Sequence, residues 1–82
     1  MNGRICNANP EHGRYAAEID DGNYIAFELL DSIDLTIGDG IAGPLLGHGG
    51  ETFTLLESGE QFSVFVEMIG ATRVAASTWT AR

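Results

Sequence analysis

The residues of this chain that are most able to do chemistry are few and lie far apart in the sequence. Cys6 is the only cysteine, and His12 and His48 are the only histidines. Structural zinc sites take their ligands from closely spaced pairs, and the spacing of these three residues matches no such pattern. We therefore predict no metal site, and we interpret Cys6 as a small core residue.

The carboxylates offer a second possible chemistry, but their sequence context favours turns and loops. Asp20 and Asp21 are adjacent, as a pair of acid–base catalysts could be. They also form the start of a turn sequence, which already explains both residues. Asp31, Asp34 and Asp39 lack the loop spacing of an EF-hand calcium site. We interpret all five as solvated turn and loop residues.

The complete lack of lysine excludes two further chemistries. A phosphate-binding P-loop needs a lysine before its Ser or Thr, and Schiff-base catalysis needs a lysine amine. Gly47–Gly50 is similar to the oxyanion loop of some esterases, but the chain lacks their Gly-x-Ser-x-Gly nucleophile motif. We predict that the protein is not an enzyme, that it uses no cofactor, and that Gly47–Gly50 is a loop.

The charge of the chain also restricts its partners. Twelve acidic residues and four arginines give a formal net charge of -8. Such a field repels nucleic-acid backbones and anionic lipid surfaces. Acidic residues commonly keep a small domain soluble, and the second interpretation is an acidic face for a basic protein partner. The charge therefore argues against binding to nucleic acid or to a membrane.

The length of 82 residues favours one domain with a small core. A single cysteine cannot form an internal disulfide, and residues 1–6 lack the apolar stretch of a signal peptide. No apolar run approaches the ~20 residues that cross a bilayer. We expect a cytoplasmic protein with a β-barrel domain over residues 1–76 and a flexible tail over residues 77–82, which carries Trp79.

The strongest structural signal is a β-hairpin over Gly13–Leu29. A three-residue loop at Asp20–Gly22 would place Tyr15 opposite Phe27 and Arg14 opposite Glu28. One face then collects only apolar residues, namely Tyr15, Ala17, Ile19, Ile25, Phe27 and Leu29. The other face collects Arg14, Ala16, Glu18, Tyr24, Ala26 and Glu28. Because a slip of one residue would exchange the two faces, burial of the apolar face selects this register.

Further short strands are predicted over residues 3–7, 41–46, 51–56, 61–69 and 72–76. The longest strand, 61–69, is predicted to place Phe62, Val64, Val66 and Met68 inward. Gly43-Pro44 predicts that the strand over residues 41–46 lies at an edge. Residues 30–36 fit neither a strand nor a helix cleanly. Short strands between Gly-rich turns indicate an all-β fold. We predict a small antiparallel barrel, closed or partly open, of OB-like type, with an SH3-like barrel as the alternative.

The order of these elements resembles the cold-shock-type OB-fold barrel. The matching segments are Gly3-Arg4-Ile5, Asn9, the strand Gly13–Ile19, the turn Asp21-Gly22, the strand Ile25–Glu28, Ser58–Phe62 and Gly70–Val74. The resemblance implies an OB-like architecture over most of the chain. The hairpin also resembles a Gly-x-Tyr-Ala-x-Glu … Asp-Gly-x-Tyr … Phe-Glu-Leu-Leu pattern in a group of small bacterial proteins.

The chain departs from the cold-shock family at the positions that bind nucleic acid. Those proteins stack bases on exposed aromatic side chains of a basic sheet face. The matching positions here hold Ala16, Ala17, Ala26 and Glu28, and Tyr15 and Phe27 are predicted to be in the core. An acidic, atypical nucleic-acid-binding OB domain is therefore the alternative function, and a non-catalytic protein-interaction or accessory module is the main prediction.

The candidate binding residues are Tyr24 and Phe65, the two aromatic residues that the strand pattern places outward. If they are neighbours on the barrel wall, with Trp79 nearby, they form a patch able to bind a protein partner. A nucleic-acid-binding domain would instead show a positive stripe of Arg4, Arg14 and Arg73. An enzyme would show a deep pocket with His12 or His48 beside carboxylates. The sequence specifies neither the partner nor the oligomeric state.

Overall fold

The alternating apolar residues close the sheet on itself. In the computed structural model, which describes residues 1–82, the strands are β1 (Asn2–Asn9), β2 (Arg14–Ile19), β3 (Tyr24–Leu29), β4 (Gly40–Ala42), β5 (Gly49–Leu55) and β6 (Gln61–Ala71). They form a closed barrel in the order β1-β2-β3-β6-β5-β4, with all neighbours antiparallel. A helix, α1 (Arg73–Thr80), follows β6. The predicted all-β class and small antiparallel barrel are confirmed, and the architecture is compatible with an OB-like or SH3-like barrel.

The β2–β3 hairpin has the predicted register. Tyr15 pairs with Phe27, and Arg14 pairs with Glu28. Gly22 has φ 88°, a conformation that only glycine adopts easily, and its N–H donates to the carbonyl of Ile19 at 2.9 Å. The turn chemistry of the Asp-Asp-Gly sequence therefore sets the alternation of both strands.

A row of aromatic rings fills the barrel. Tyr15 stacks on Phe27 with ring centroids 5.9 Å apart, and Phe53 lies edge-to-face with Phe27 at 5.4 Å and with Phe62 at 6.1 Å. All four rings are at most 3% exposed. Leu35 and Leu45 are also buried, and each comes from one of the two loops that connect β3 to β4 and β4 to β5. The loops therefore complete the same core.

The short strand β4 corrects one prediction. Gly43-Pro44 indicated an edge strand, but β4 ends at Ala42, before the proline, and pairs with both β1 and β5. Proline would lack one ladder hydrogen bond, so it lies just outside the strand. Residues 30–36 form no regular element, and Leu35 alone among them is fully buried.

A bulge in β6 corrects a second prediction. Ala26 pairs with Met68, whereas the next residue of β3, Phe27, pairs with Val66. Glu67 is therefore the extra residue, and it reverses the alternation that follows. Met68 packs on the outer surface, and Ile69 takes the inward position. The prediction that Met68 points inward is wrong.

The C-terminal segment corrects a third prediction. Residues 72–76 were expected to form a strand and residues 77–82 a tail. Instead, the Thr72 hydroxyl accepts a hydrogen bond from the N–H of Ala75 at 3.1 Å and caps α1. The predicted final strand is wrong, and the predicted tail supplies the second half of the helix, where Thr80 is 2% exposed. No helix of this fold has the length and apolar character that crossing a bilayer requires.

Helix α1 packs on the outer face of the barrel, across β1, β2 and β3. Ala16 and Ala26 face each other on β2 and β3, and Ala76 of the helix lies on them. All three alanines are completely buried. Their small side chains allow the helix to approach the sheet closely, so we call Ala16 and Ala26 the helix seat.

Polar contacts hold α1 at its C-terminal half. The Ser77 hydroxyl donates to the side-chain oxygen of Asn7 at 2.9 Å, and the Asn9 amide donates to the Thr80 carbonyl at 3.0 Å. The Asn9 amide therefore supplies a donor to one carbonyl at the end of the helix, where backbone acceptors have no partner within the helix itself.

Candidate functional site

The predicted aromatic patch is not formed by Tyr24 and Phe65 together. Both lie on the outer face, but Tyr24 pairs with Ala71, whereas Phe65 pairs with Glu28. These two rows are four positions apart along β3, which is about 13 Å at a rise of roughly 3.3 Å per residue. Tyr24 packs against the alanine cluster under α1, and its hydroxyl lies 3.4 Å from a carboxylate oxygen of Glu18. Tyr24 therefore belongs to the surroundings of the helix, and Phe65 stands apart from it.

Three side chains have raised pKa values, and two of them, Cys6 and Tyr24, lie beside the helix seat. Burial raises the pKa of the Cys6 thiol, and the nearby positive charge of Arg73 opposes this effect. Burial, together with the carboxylate of Glu18, raises the pKa of the Tyr24 hydroxyl. In the core, burial likewise raises the pKa of Tyr15. All three groups are held in their neutral forms by the fold.

These shifts predict that stability falls in alkaline solution. The unfolded chain deprotonates Cys6 first, near its ordinary pKa of 9.0, and the tyrosines near 10.0, so above these values it binds fewer protons than the folded chain. The free energy of unfolding from urea titrations should be constant at neutral pH and decrease as the pH rises through 9.0 and 10.0. In Cys6→Ala, the decrease should begin only at the tyrosine values. An equal free energy at about pH 7 and about pH 10.5 would contradict this expectation.

Two of the three arginines of the predicted positive stripe make hydrogen bonds within the fold. Arg14 lies opposite Glu28 in register, but its guanidinium donates to the carbonyls of Trp79 at 3.3 Å and Arg82 at 3.2 Å. It also lies 4.8 Å from the centre of the Trp79 ring, in a cation–π contact. Arg4 lies opposite Glu18 and donates to the Gly38 carbonyl at 2.8 Å. Both side chains are engaged in holding the fold together.

Neither histidine lines the surface groove of the protein. His12 contacts the Asn9 amide, with 3.1 Å between their nitrogens, and His48 is exposed in the β4–β5 loop. An open groove of about 260 Å³ runs along the β1–β2 hairpin and is lined by Asn2, Gly3, Arg4, Glu18, Ile19 and Asp20. No group of three or more metal-ligating side chains occurs. The structure therefore brings no histidine to this groove.

No family model, curated protein or solved structure matches this chain. Function must therefore be inferred from the surface of the molecule itself.

Phe65 is the exposed large apolar residue that lies in a β-strand. The large apolar residues that are exposed are Met1, Leu30, Ile37, Leu46, Leu56, Phe65 and Val74. Phe65, which is 43% exposed, is the only one of them that belongs to a strand. A rigid strand fixes the direction of its ring, whereas most of the others lie on loops.

Leu30 lies beside Phe65. Its N–H donates to the Ser63 carbonyl at 2.9 Å, so the ladder between β3 and β6 continues one residue past Leu29. By alternation, Leu30 faces outward on the diagonal from Phe65, and it is 56% exposed. The sequence analysis missed Leu30. The signal was available, because Glu28 was already predicted outward and Leu30 lies two residues further along.

The remaining neighbours of Phe65 are acidic or small. Glu28 on β3 and Gly50 on β5 are its direct cross-strand neighbours, and Glu67 follows it on β6. Asp31 accepts a hydrogen bond from the Ser63 N–H through its carboxylate. No arginine belongs to β5 or β6. We call this surface the Phe65 face and define it by Glu28, Leu30, Gly50, Phe65 and Glu67.

Proposed function

We propose that the protein is a non-catalytic protein-interaction module that binds its partner through the Phe65 face. The observation that carries this proposal is that two exposed apolar residues, Phe65 and Leu30, occupy diagonal positions of the β3–β6 ladder on the outer wall of the barrel. Aromatic anchors surrounded by polar residues commonly supply most of the binding energy of an interface.

The charge around this pair supports a protein partner over a nucleic acid. Glu28, Asp31 and Glu67 surround the apolar centre, and a phosphate backbone would be repelled by all three. The resemblance to cold-shock barrels enters this proposal as a resemblance of architecture and not of function. Of the positions that match that family's base-stacking residues, Ala16 and Ala26 are completely buried under α1, and Glu28 is exposed.

The test compares the proteins that the immobilised wild type and two immobilised variants capture from a lysate of the source cell. Phe65→Ala should reduce capture of the principal partner at least tenfold, because removal of an anchor costs about 2 kcal/mol or more of binding energy. Val74→Ala is the matched control, since Val74 is 75% exposed on α1, away from the Phe65 face. This control should capture the partner as the wild type does.

Two results would contradict the proposal. One is capture that is equal for the wild type, Phe65→Ala and Val74→Ala, because no specific anchor would then be present. The other is salt-sensitive binding of single-stranded RNA or DNA that Phe65→Ala weakens at least tenfold, because the face would then serve the nucleic-acid function. Urea unfolding of each variant confirms that a loss of capture is not a loss of fold.

A further inference from the structure

Gly50 has no structural reason to be glycine. Its neighbour Gly49 has φ 82° and needs glycine for that conformation, but Gly50 is not in the positive-φ region. A Cβ built on Gly50 would meet no atom within 4 Å, whereas one on Gly3 would meet backbone at 3.0 Å. Glycine inside a strand costs stability relative to alanine, because the unfolded chain has more freedom to lose. Neither backbone conformation nor crowding therefore accounts for Gly50.

The missing side chain leaves a notch beside Phe65. Gly50 lies directly opposite Phe65 across the β5–β6 ladder, and both residues are exposed. Side chains of such a pair normally start about 4.5–5.5 Å apart and cover each other. Here Gly50 supplies no side chain to this pair, and the space where its Cβ would lie is open. Glycine in a strand often marks a place where another molecule or backbone comes close.

The charges around the notch indicate what kind of molecule fits there. Glu28 lies beside Phe65 on β3, Glu67 follows Phe65 on β6, and both carboxylates are exposed. Arg14 lies opposite Glu28 on β2, but its guanidinium donates to the carbonyls of Trp79 and Arg82. A second copy of this chain carries the same net charge of -8 and would be repelled. A segment with lysine or arginine near one apolar residue would be attracted by both features.

We propose that the Gly50 notch seats one apolar side chain of a positively charged partner segment, whose basic residues contact Glu28 and Glu67. This inference rests on the proposed function, and it names the partner's chemistry and the position of its anchor. Phe65 lies opposite the notch across the β5–β6 ladder, and the β5 backbone at Gly50 forms its floor.

The probe is a twelve-residue synthetic peptide with alternating lysines and serines and a single central leucine, titrated into labelled protein by NMR. We expect the amide signals of Gly50, Phe65 and Leu30 to shift. Gly50→Val should weaken binding at least tenfold while unfolding in urea at the same or a higher concentration, because valine favours strands and has free space here. Since this variant is not destabilised, lost binding cannot be ascribed to misfolding.

Two controls test whether peptide binding depends on the notch itself or on the residues around it. Thr52→Val introduces the same apolar residue at the next outward position of β5 and should bind the peptide as the wild type does. Replacing the central leucine of the peptide by alanine should weaken binding to the wild type at least tenfold. It should change little for Gly50→Val, in which the notch is already filled.

A charge-matched pair of double variants tests the basic partner. Glu28→Gln with Glu67→Gln should weaken peptide binding at least fivefold more than Glu11→Gln with Glu57→Gln, although both remove the same net charge. Equal weakening would show attraction by net charge alone and would overturn the inference. Unchanged binding by Gly50→Val, or shifts confined to other surfaces, would overturn it as well, as would self-association through the same amides in the absence of peptide.

The experiments distinguish a failure of this inference from a failure of the proposed function. A partner that is captured through Phe65 but is not basic, and that tolerates Gly50→Val, would overturn the notch and leave the interaction module standing. Capture that does not depend on Phe65 would overturn both.

Discussion

Replacing Phe53 with alanine is expected to lower the free energy of unfolding by about 3–5 kcal/mol. Phe53 is completely buried and lies between Phe27 and Phe62, with edge-to-face contacts to both rings. Its removal takes away apolar burial, leaves a cavity and breaks two aromatic contacts. A domain of this size has a total stability of about 5–15 kcal/mol, so the loss is a large fraction of it.

The measurement is equilibrium unfolding in urea, followed by circular dichroism. Phe65→Ala is the matched control, because it deletes the same side chain from the outer wall of the same barrel. It should cost about 1 kcal/mol or less, since Phe65 is 43% exposed. Equal costs for the two variants would contradict the placement of Phe53 at the centre of the core.

The hairpin was predictable because two independent local signals agree. The Asp20–Gly22 loop demands a left-handed glycine, and the alternation on each side of it produces one face that is apolar throughout. Turn chemistry and burial both act over a few residues, so the sequence contains them directly. The resulting core positions of Tyr15 and Phe27 are confirmed.

The bulge at Glu67 was not predictable in the same way. Residues 62–68 alternate without a break, so nothing in β6 itself shows where its register changes. The change appears only against β3, where Ala26 and Phe27 have partners two residues apart. Strand register beyond a hairpin depends on pairing between distant segments, and the Gly50–Phe65 pair was missed for the same reason.

Two local features of the sequence indicate helix α1, and the sequence analysis did not combine them. Thr72 is a good N-cap residue, and Ala16 and Ala26 are small residues on the outward face of the hairpin. The valine and threonines of the segment favoured a strand instead, and tertiary packing decided against them. The missed helix also explains Tyr24, which was predicted outward but packs beside the covered alanines.

Enlarging the helix seat should separate α1 from the barrel. Ala26→Leu places a branched side chain between β3 and Ala76, where no space is left. Overpacking of this kind costs about 1–3 kcal/mol. The loss of stability cannot exceed the free energy with which α1 packs on the barrel, because α1 can move away while the aromatic core stays intact. We therefore expect a destabilised protein that keeps its barrel spectrum in the far ultraviolet.

The thiol of Cys6 reports directly on this separation. Cys6 packs against the same alanine cluster, and burial raises its pKa, so the docked protein has little reactive thiolate at mildly alkaline pH. In Ala26→Leu, the reaction of Cys6 with a disulfide reagent should become several-fold faster. Val74→Leu, which adds bulk on the exposed side of the same helix, should leave the rate unchanged. If Ala26→Leu also reacts at the wild-type rate, the helix is not seated on Ala16 and Ala26.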